Sequence, residues 1–391
     1  MNKKLLAVAV AGALAAPAVA LAQSSVTISG GIHLSIDNVK YKQTAKTTTS
    51  EGRVNDESSS IIFTVREDLG GGMSALAVVD VKPNLDSAAI AASGASYIGL
   101  STRAAGRFTA GRHNLHFFKT PWDGYGLGGA LKLHPTSLID YAGAGAVAIA
   151  NATRTPNSLL WSSPNWSGFT VDVGYSFNPV LGNAAGGGSA GAGGPEADLT
   201  AGNTLRKGRA WTANPTFTGS NWAVAWSYWS AKVDAAGAGI AVADQRSDSI
   251  YGYYTWGGFK LGAIWNKSRL NTASGATAGA KVSDRTAWSI PIRYTWGQHN
   301  ILAHYTKARD DKATAGVADG AKMWTLMYAY SLSKRTSVSL AYAKLNNDGN
   351  AVAGGATYNF FTNNGALAST NSGVAAGEDV RLLTLGMRHS F

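Results

Sequence analysis

The chain has 391 residues, 45% of them hydrophobic and 10% aromatic, with 47 glycines, no cysteine and a formal charge of +11. The lack of cysteine excludes a disulfide framework and any thiolate metal site, and no helix-length apolar run follows the N-terminal segment, which argues against a bundle of membrane helices. A mean hydropathy near zero does not separate a soluble protein from a water-filled barrel, whose wall is apolar on one face only.

At the N-terminus, Lys3 and Lys4 precede an apolar run from Leu5 to Val19, and Ala20-Leu21-Ala22 supplies small residues at a cleavage position. That order is a secretory signal peptide's, and the run is shorter than the ~20 residues a membrane helix needs. The expectation is a signal peptide at 1–22 and one domain at 23–391, with formal charge falling from +11 to +9 as Lys3 and Lys4 leave. No linker divides that domain, because alternating segments persist from Val26 to Phe391.

The first segment is the clearest. Val26, Ile28, Ile32, Leu34 and Ile36 share one face, and Thr27, Ser29, His33, Ser35 and Asp37 share the other, the period of a strand with lipid on one side and water on the other. A polar stretch from Asn38 to Asn55 leads to a second strand at Ser60 to Arg66, a short turn at Asp68 to Gly72, and a third strand at Met73 to Val81. Short turns recur at Arg103 to Gly106, Ser163 to Gly168, Pro215 to Asn221, Gly257-Gly258, Gly297 to His299 and Ser331 to Arg335. Longer connections lie between them, the longest at Gly182 to Thr204 and Asn346 to Gly377. Outer-membrane barrels keep tight turns on the periplasmic side and longer loops outside. The pattern predicts an all-β fold, a transmembrane antiparallel barrel of about sixteen strands, wide enough for an aqueous channel.

Aromatic residues punctuate the strand ends: Trp222, Trp226 and Tyr228; Tyr254 and Trp256; Phe259 and Trp265; Trp288, Tyr294 and Trp296; Trp324, Tyr328 and Tyr330. Such positions suit girdles at the two membrane interfaces. The chain stops on Phe391 after the alternating run Leu383 to Ser390.

Several motifs carry no chemistry in this setting. Gly124 to Gly129 matches a dinucleotide fingerprint by letters without a strand and helix around it, and Gly187 to Gly191 imitates a nucleophile elbow inside a low-complexity stretch. His113, His116 and His134 with Asp123 lack metal-ligand spacing, so no metal or cofactor is expected. The basic residues are scattered and not gathered into an aromatic-laced patch, so no nucleic-acid partner is expected.

Read in order, a set of segments resembles the general diffusion porins of Gram-negative outer membranes, most closely the betaproteobacterial branch. The carriers are Ser25 to Ile28, Phe63 to Gly70, Tyr97 to Ser101, Phe108 to Arg112, Asn157 to Phe169 and Met387 to Phe391. The resemblance implies a homotrimer in outer-membrane lipid and lipopolysaccharide, each barrel narrowed by an inward-folded constriction loop, here Asn114 to roughly Ala152. It also implies that Arg112 and Arg154 project into the constriction and that Phe391 is a C-terminal assembly signal. Two family positions differ: Ser60 stands where a basic wall residue is common and Thr64 where a lysine is usual, with Arg66 available on the same inward face. The loop lacks the family's acidic cluster, holding Asp123 and Asp140 against Lys119 and Lys132.

These residues predict passive diffusion of ions and small hydrophilic or anionic solutes, with Arg112, Arg154, Lys119 and Lys132 favouring anions over the opposing Asp123. A wall arginine that pins the loop to the barrel is an equal alternative. Other readings are an adhesin or receptor using the two longest loops, or a lipid-hydrolysing barrel enzyme, for which no serine and histidine grouping is visible.

Overall fold

A computed structural model describes residues 24–42, 50–57, 59–87, 89–91, 94–116, 131–139, 155–177, 208–233, 243–272, 278–314, 316–349, 358, 360–362, 365–366 and 377–391. The expected signal peptide lies outside them, as do the low-complexity loop at 182–204 and most of the loop at 346–377.

Sixteen strands form one closed antiparallel sheet. They are β1 (Ser25–Lys42), β2 in two pieces (Ser50–Asp56 and Ser60–Gly70), β3 (Met73–Asn84), β4 (Ser96–Thr102), β5 (Gly106–His113), β6 (Thr155–Ser162), β7 (Phe169–Ser176) and β8 (Gly208–Thr218). The circuit continues through β9 (Trp222–Val233), β10 (Ala243–Trp256), β11 (Phe259–Thr272), β12 (Lys281–Trp296), β13 (His299–Ala308), β14 (Ala321–Ser331), β15 (Thr336–Asn347) and β16 (Asp379–Ser390). Each strand pairs with its neighbours in sequence, and β16 returns to β1 with Gly31 opposite Ser390 and Lys42 opposite Asp379. Closure leaves no open edge, which a spanning sheet requires because hydrocarbon offers no partner for backbone N–H and C=O groups.

The seam ends on the terminal residue. Phe391 exchanges two backbone hydrogen bonds of 3.1 Å with Gly30, where φ is +152° and a Cβ would lie 2.0 Å from the Ser60 carbonyl oxygen. Glycine is required there by close approach of the neighbouring strand.

Alternation fixes the two faces. In β1, His33, Ser35, Asp37 and Val39 point inward and are buried, while Ile36 is 61% exposed to the outside. The short turns fall where the sequence put them, with one exception: β8 runs through Pro215 to Thr218, and the turn is confined to 219–221. Pro215 stays in register with Val171 on β7, while the pairing with β9 lapses at 214–215 and resumes at Thr216 opposite Ala225. A proline removes one ladder donor, and the continuous pairing on the β7 side carries the strand past it.

Aromatic rings flank the outward apolar band. Near the short turns, Tyr254, Trp256, Phe259, Tyr294, Trp296 and His299 form a chain of ring contacts with successive centroids 4.3–6.1 Å apart. Near the long loops, Trp211 meets Tyr228, Trp288 meets Tyr305 and Trp324 meets Tyr342. Trp288 and Trp296 share the outer face of β12. Their separation along a strand is ~27 Å, or ~20 Å of membrane depth at a tilt of about 40°, close to the apolar band of such barrels. No helix among the described residues is long and apolar enough to cross a membrane.

Candidate functional site

The lumen is the site, and what shapes it is the connection between β5 and β6. The loop leaves β5 against the wall of β6 to β11, where Leu115 packs with Leu160, Ala210, Trp229, Ala231 and Leu270. The Leu115 carbonyl accepts hydrogen bonds from Thr212 Oγ1 at 3.0 Å and Asn214 Nδ2 at 2.9 Å, and His116 Nδ1 lies 2.8 Å from Ser227 Oγ. Residues 131–139 reappear on the other side, in two short turns of 3₁₀ helix, Leu131–Leu133 and Pro135–Ser137. There Leu133, Leu138 and Ile139 pack with Val39, Leu345, Val380 and Leu382 of β1, β15 and β16. Strands β9 and β1 lie half a circuit apart in a ring of sixteen, so residues 115–116 and 131–139 are anchored on opposite walls of the lumen.

The second anchor is ionic. Lys132 is fully buried, its ammonium 2.5 Å from Asp37 and 2.7 Å from Ser35 Oγ, with Glu57 completing the pair of carboxylates. Glu57 reaches this point because β2 is interrupted between Asp56 and Ser60, while Asp37 is an inward residue of β1. Removing one member of a buried ionic group leaves charge unpaired at several kcal/mol, so this group fixes the loop in place. Beside it, the Leu133 carbonyl accepts from His304 Nε2 at 2.6 Å. His134 Nδ1 accepts the Thr136 backbone N–H at 3.2 Å, and burial, with His304 nearby, holds the His134 imidazole down to about 3.

Above the lumen, Arg285 at the outer end of β12 binds Asp311 at 2.9 Å and Asp319 at 3.1 Å from the β13–β14 loop. It also donates to the Tyr358 hydroxyl of the β15–β16 loop. Burial would raise the Asp311 carboxyl, but hydrogen bonds from Ser283, from the Asp284 and Ala313 amides and the Arg285 charge hold it below the usual range. Burial pushes the Tyr358 phenol up to about 12. Tyr358 and Phe360 belong to the same buried cluster as Leu138 and Ile139, so two loops from opposite ends of the sequence pack on each other within the barrel.

The predicted site residues separate. Arg66 is on an inward position of β2, hydrogen bonded to Ser74 Oγ at 3.3 Å. Lys132 lies on the β5–β6 connection, but in its buried ionic anchor and not on a water-facing surface. Arg112 is half-buried, in register with Ser96; it stands beside Gly111, where φ is +143°, at the shift in pairing with β6, where Asn157 has φ +48°. Along β5, Thr109 and His113 are inward and buried, Tyr97 of β4 stacks on His113 at 4.8 Å, and Phe108 and Ala110 face outward. Lys119, Asp123, Asp140 and Arg154 lie outside the described residues.

The set-aside histidines have separate partners: His113 bonds Ser158 at 2.7 Å and Thr109 at 2.8 Å. No group of three or more His, Asp or Glu side chains suited to a metal occurs among the described residues. The anchor formed by Asp37 and Glu57 was not foreseen; Asp37 was visible as the polar face of the first strand, and Glu57 gave no signal.

A closed barrel with an apolar outer band, a polar interior and a loop anchored on two opposite inner walls is a channel-forming barrel of the Gram-negative outer membrane. The Gram-negative porin family model matches residues 7–350, and the chain belongs to that family. It is an outer-membrane porin, a water-filled channel for passive diffusion of ions and small hydrophilic solutes. The fold is shared with the anion-selective porin of Comamonas acidovorans, at 21% identity and a TM-score of 0.70 over 94% of this chain and 100% of that one. It is also shared with the trimer form of OmpT, an outer membrane protein of Vibrio cholerae (13% identity, TM-score 0.62, 94% and 99% covered). Salmonella typhi OmpF, in complex with daunomycin, matches at 11% identity and a TM-score of 0.60, with 94% and 97% covered. No curated protein sequence matches the chain.

Proposed function

We propose that the channel prefers anions and works as a homotrimer without catalytic chemistry. The observation that carries the anion preference is the inward row at the short-turn half of the wall, where Arg66, Arg107, Lys260, Arg293 and Arg388 stand against Asp68 and Asp172. Fixed cations in a narrow channel with low-dielectric walls raise the local concentration of anions. Lys260 and Arg293 are direct register partners, and Lys260 Nζ lies 3.7 Å from the centre of the Tyr253 ring. Arg154 and Lys119, on the loop flanks, add to the same field, with Asp123 opposing them. The Comamonas barrel of the same fold is an anion-selective porin, which agrees with this reading.

The homotrimer is supported by the outer face of β1 to β5 and β16, which carries Ile98, Leu100 and Leu385 exposed but no tryptophan. Another copy of the barrel, not lipid, is the cover this sector fits. Membrane lipid is the partner of the remaining strands, Phe391 serves as the assembly signal, and residues 1–22 are removed on export.

The test is the reversal potential of the purified trimer across a KCl gradient. The sign expected is that of anion preference, largest at low salt because the Debye length is ~10 Å at 0.1 M. Replacing Lys260 and Arg293 together with glutamine moves it toward cations. A cation-selective wild type, or a double variant with unchanged potential, overturns the reading.

A further inference from the structure

The inner wall is apolar in one sector, where a water-filled lumen calls for polar side chains. Toward the long-loop ends of β13 to β16 the inward residues include Ala308, Met323, Ala343, Leu345, Val380 and Leu382, each no more than 1% exposed. In the same half of β10 and β11 the inward residues Ser247, Ser249, Asn266 and Ser268 are hydrogen bonded to one another. An apolar wall inside a channel is favourable only under a cover that keeps water off it. Leu138 and Ile139 of the β5–β6 connection supply part of that cover, and Tyr358 and Phe360 of the β15–β16 loop supply the rest, all in one buried cluster with the wall.

The second part of the cover is held from two strands. At the end of β15, the Asn347 side chain accepts the Tyr358 backbone N–H at 2.7 Å and donates to the Tyr358 carbonyl at 3.0 Å, as a paired strand would. The Tyr358 hydroxyl accepts from Arg285 of β12, three strands away round the ring. One tyrosine therefore reaches across the inner faces of β14 and β13. Arg285 is a fixed post for it, since Asp311 at 2.9 Å and Asp319 at 3.1 Å hold the guanidinium. Just beyond, the strand piece Phe361–Thr362 lies against Leu131–Leu133 of the β5–β6 connection.

We propose that Tyr358 and Phe360 are size-determining residues of the channel: they make the β15–β16 loop a second constriction beside residues 131–139, and Arg285 is the residue that positions it. Rings seated inside the mouth take cross-section from every solute, charged or neutral. The proposal therefore goes beyond the anion preference, which is carried by side chains at the short-turn half of the wall.

Because the chain has no cysteine, one introduced thiol reports whether the wall is covered. Ala343 and Ser339 share the inner face of β15, the first buried and the second half-buried. In the otherwise wild-type protein, a charged thiol reagent should modify Ala343→Cys several-fold more slowly than Ser339→Cys, and adding Tyr358→Ala with Phe360→Ala should remove the difference. Swelling of liposomes containing the full-length protein, in neutral sugars from mono- to tetrasaccharide, measures the size limit. The double alanine variant should pass the larger sugars several-fold faster, relative to the monosaccharide, than wild type does; the Lys132 ionic anchor stays in place and keeps residues 131–139 on the wall. Arg285→Gln should move the ratio the same way, and Arg285→Lys should keep most of the wild-type ratio. Equal modification of the two thiols in the wild-type background overturns the proposal without any loop variant. So does an unchanged sugar ratio in the double alanine variant, and equal ratios in Arg285→Lys and Arg285→Gln overturn the positioning role. The reversal potential of the same preparations should stay at the wild-type value, so the size limit and the anion preference are read apart.

Discussion

The outer surface of the barrel divides into two sectors built on the same alternation and finished differently. On β1 to β5 and β16 the large outward residues are mostly aliphatic, as with Ile28, Ile36, Ile98, Leu100, Leu383 and Leu385, with Phe63 and Phe108 among them and no tryptophan. On β6 to β14 the outward positions carry every described tryptophan except Trp229, which is inward, and Trp166, in the β6–β7 turn. Amphipathic rings suit a wall that meets the membrane interface, which agrees with the protein contact proposed for the first sector and the lipid contact proposed for the second. The inner faces differ in parallel. The protein-facing sector holds Asp37 and Glu57, which receive Lys132, whereas the opposite wall receives Leu115 and His116 through neutral hydrogen bonds.

The sharpest way to break this comparison is to place a charge on each sector. Leu100→Arg should abolish trimers while leaving a barrel that still migrates as a heat-modifiable monomer, because water and detergent solvate the new charge once the partner is lost. Val224→Arg, on β9 in the girdled sector, should instead lower insertion into lipid by about 2–4 kcal/mol and leave detergent-purified trimers intact. The same outcome for both, read by semi-native gels and by insertion yield into vesicles, would remove the distinction between the sectors.

The alternation that defines the two sectors is legible in the sequence, and the reason is physical. A period of two, tight turns and ring positions are properties of neighbouring residues, so the strand order, the strand number and the girdles were legible from spacing alone. Facing is different at a strand end, because an extra residue on either strand reverses it. Arg112, next to last in β5, lies at such an irregularity: the pairing with β6 shifts between Gly111 and His113, and Gly111 has φ +143°. The anchor of Lys132 joins residues 95 positions apart, a pairing that no local pattern reveals. Pro215 misled for the opposite reason: a strong local turn signal gave way to pairing on both sides.

The inner-face contrast has its own test. Lys132→Met leaves Asp37 and Glu57 buried beside each other without a cation, a change of about 3–5 kcal/mol against the docked loop. Single-channel records should show added open-state noise and larger conductance. Lys132→Met combined with Asp37→Asn and Glu57→Gln should return toward quiet openings. A quiet single variant would mean that the packing of Leu138 and Ile139 holds the loop by itself. Phe360→Ala, which removes a ring from that packing, should add a lesser increase in noise, since a buried phenylalanine contributes about 3–5 kcal/mol spread over both loops.

The smallest effect is a dependence on pH carried by His134. Its ring nitrogen accepts the Thr136 amide hydrogen, a role that protonation ends, and burial holds the group down to about 3 from an ordinary value of 6.5. The unbound loop takes up a proton near 6.5 and the docked loop resists until about 3. The docked state binds fewer protons in between, so docking is fully favoured above pH 6.5 and weakens steadily as pH falls toward 3. Open-state noise should therefore rise as pH is lowered from 7 to 5; the Glu57 carboxyl of the ionic anchor, held above its ordinary value by burial, is common to wild type and variant. His304, which faces the same turn from β13 through the Leu133 carbonyl, is present in wild type and variant alike. His134→Gln keeps an acceptor for the Thr136 amide and cannot titrate, so its record should be flat over that window where the wild type slopes. Parallel slopes would assign the pH response to His304 or to the loop segments on either side, and remove His134 from the account.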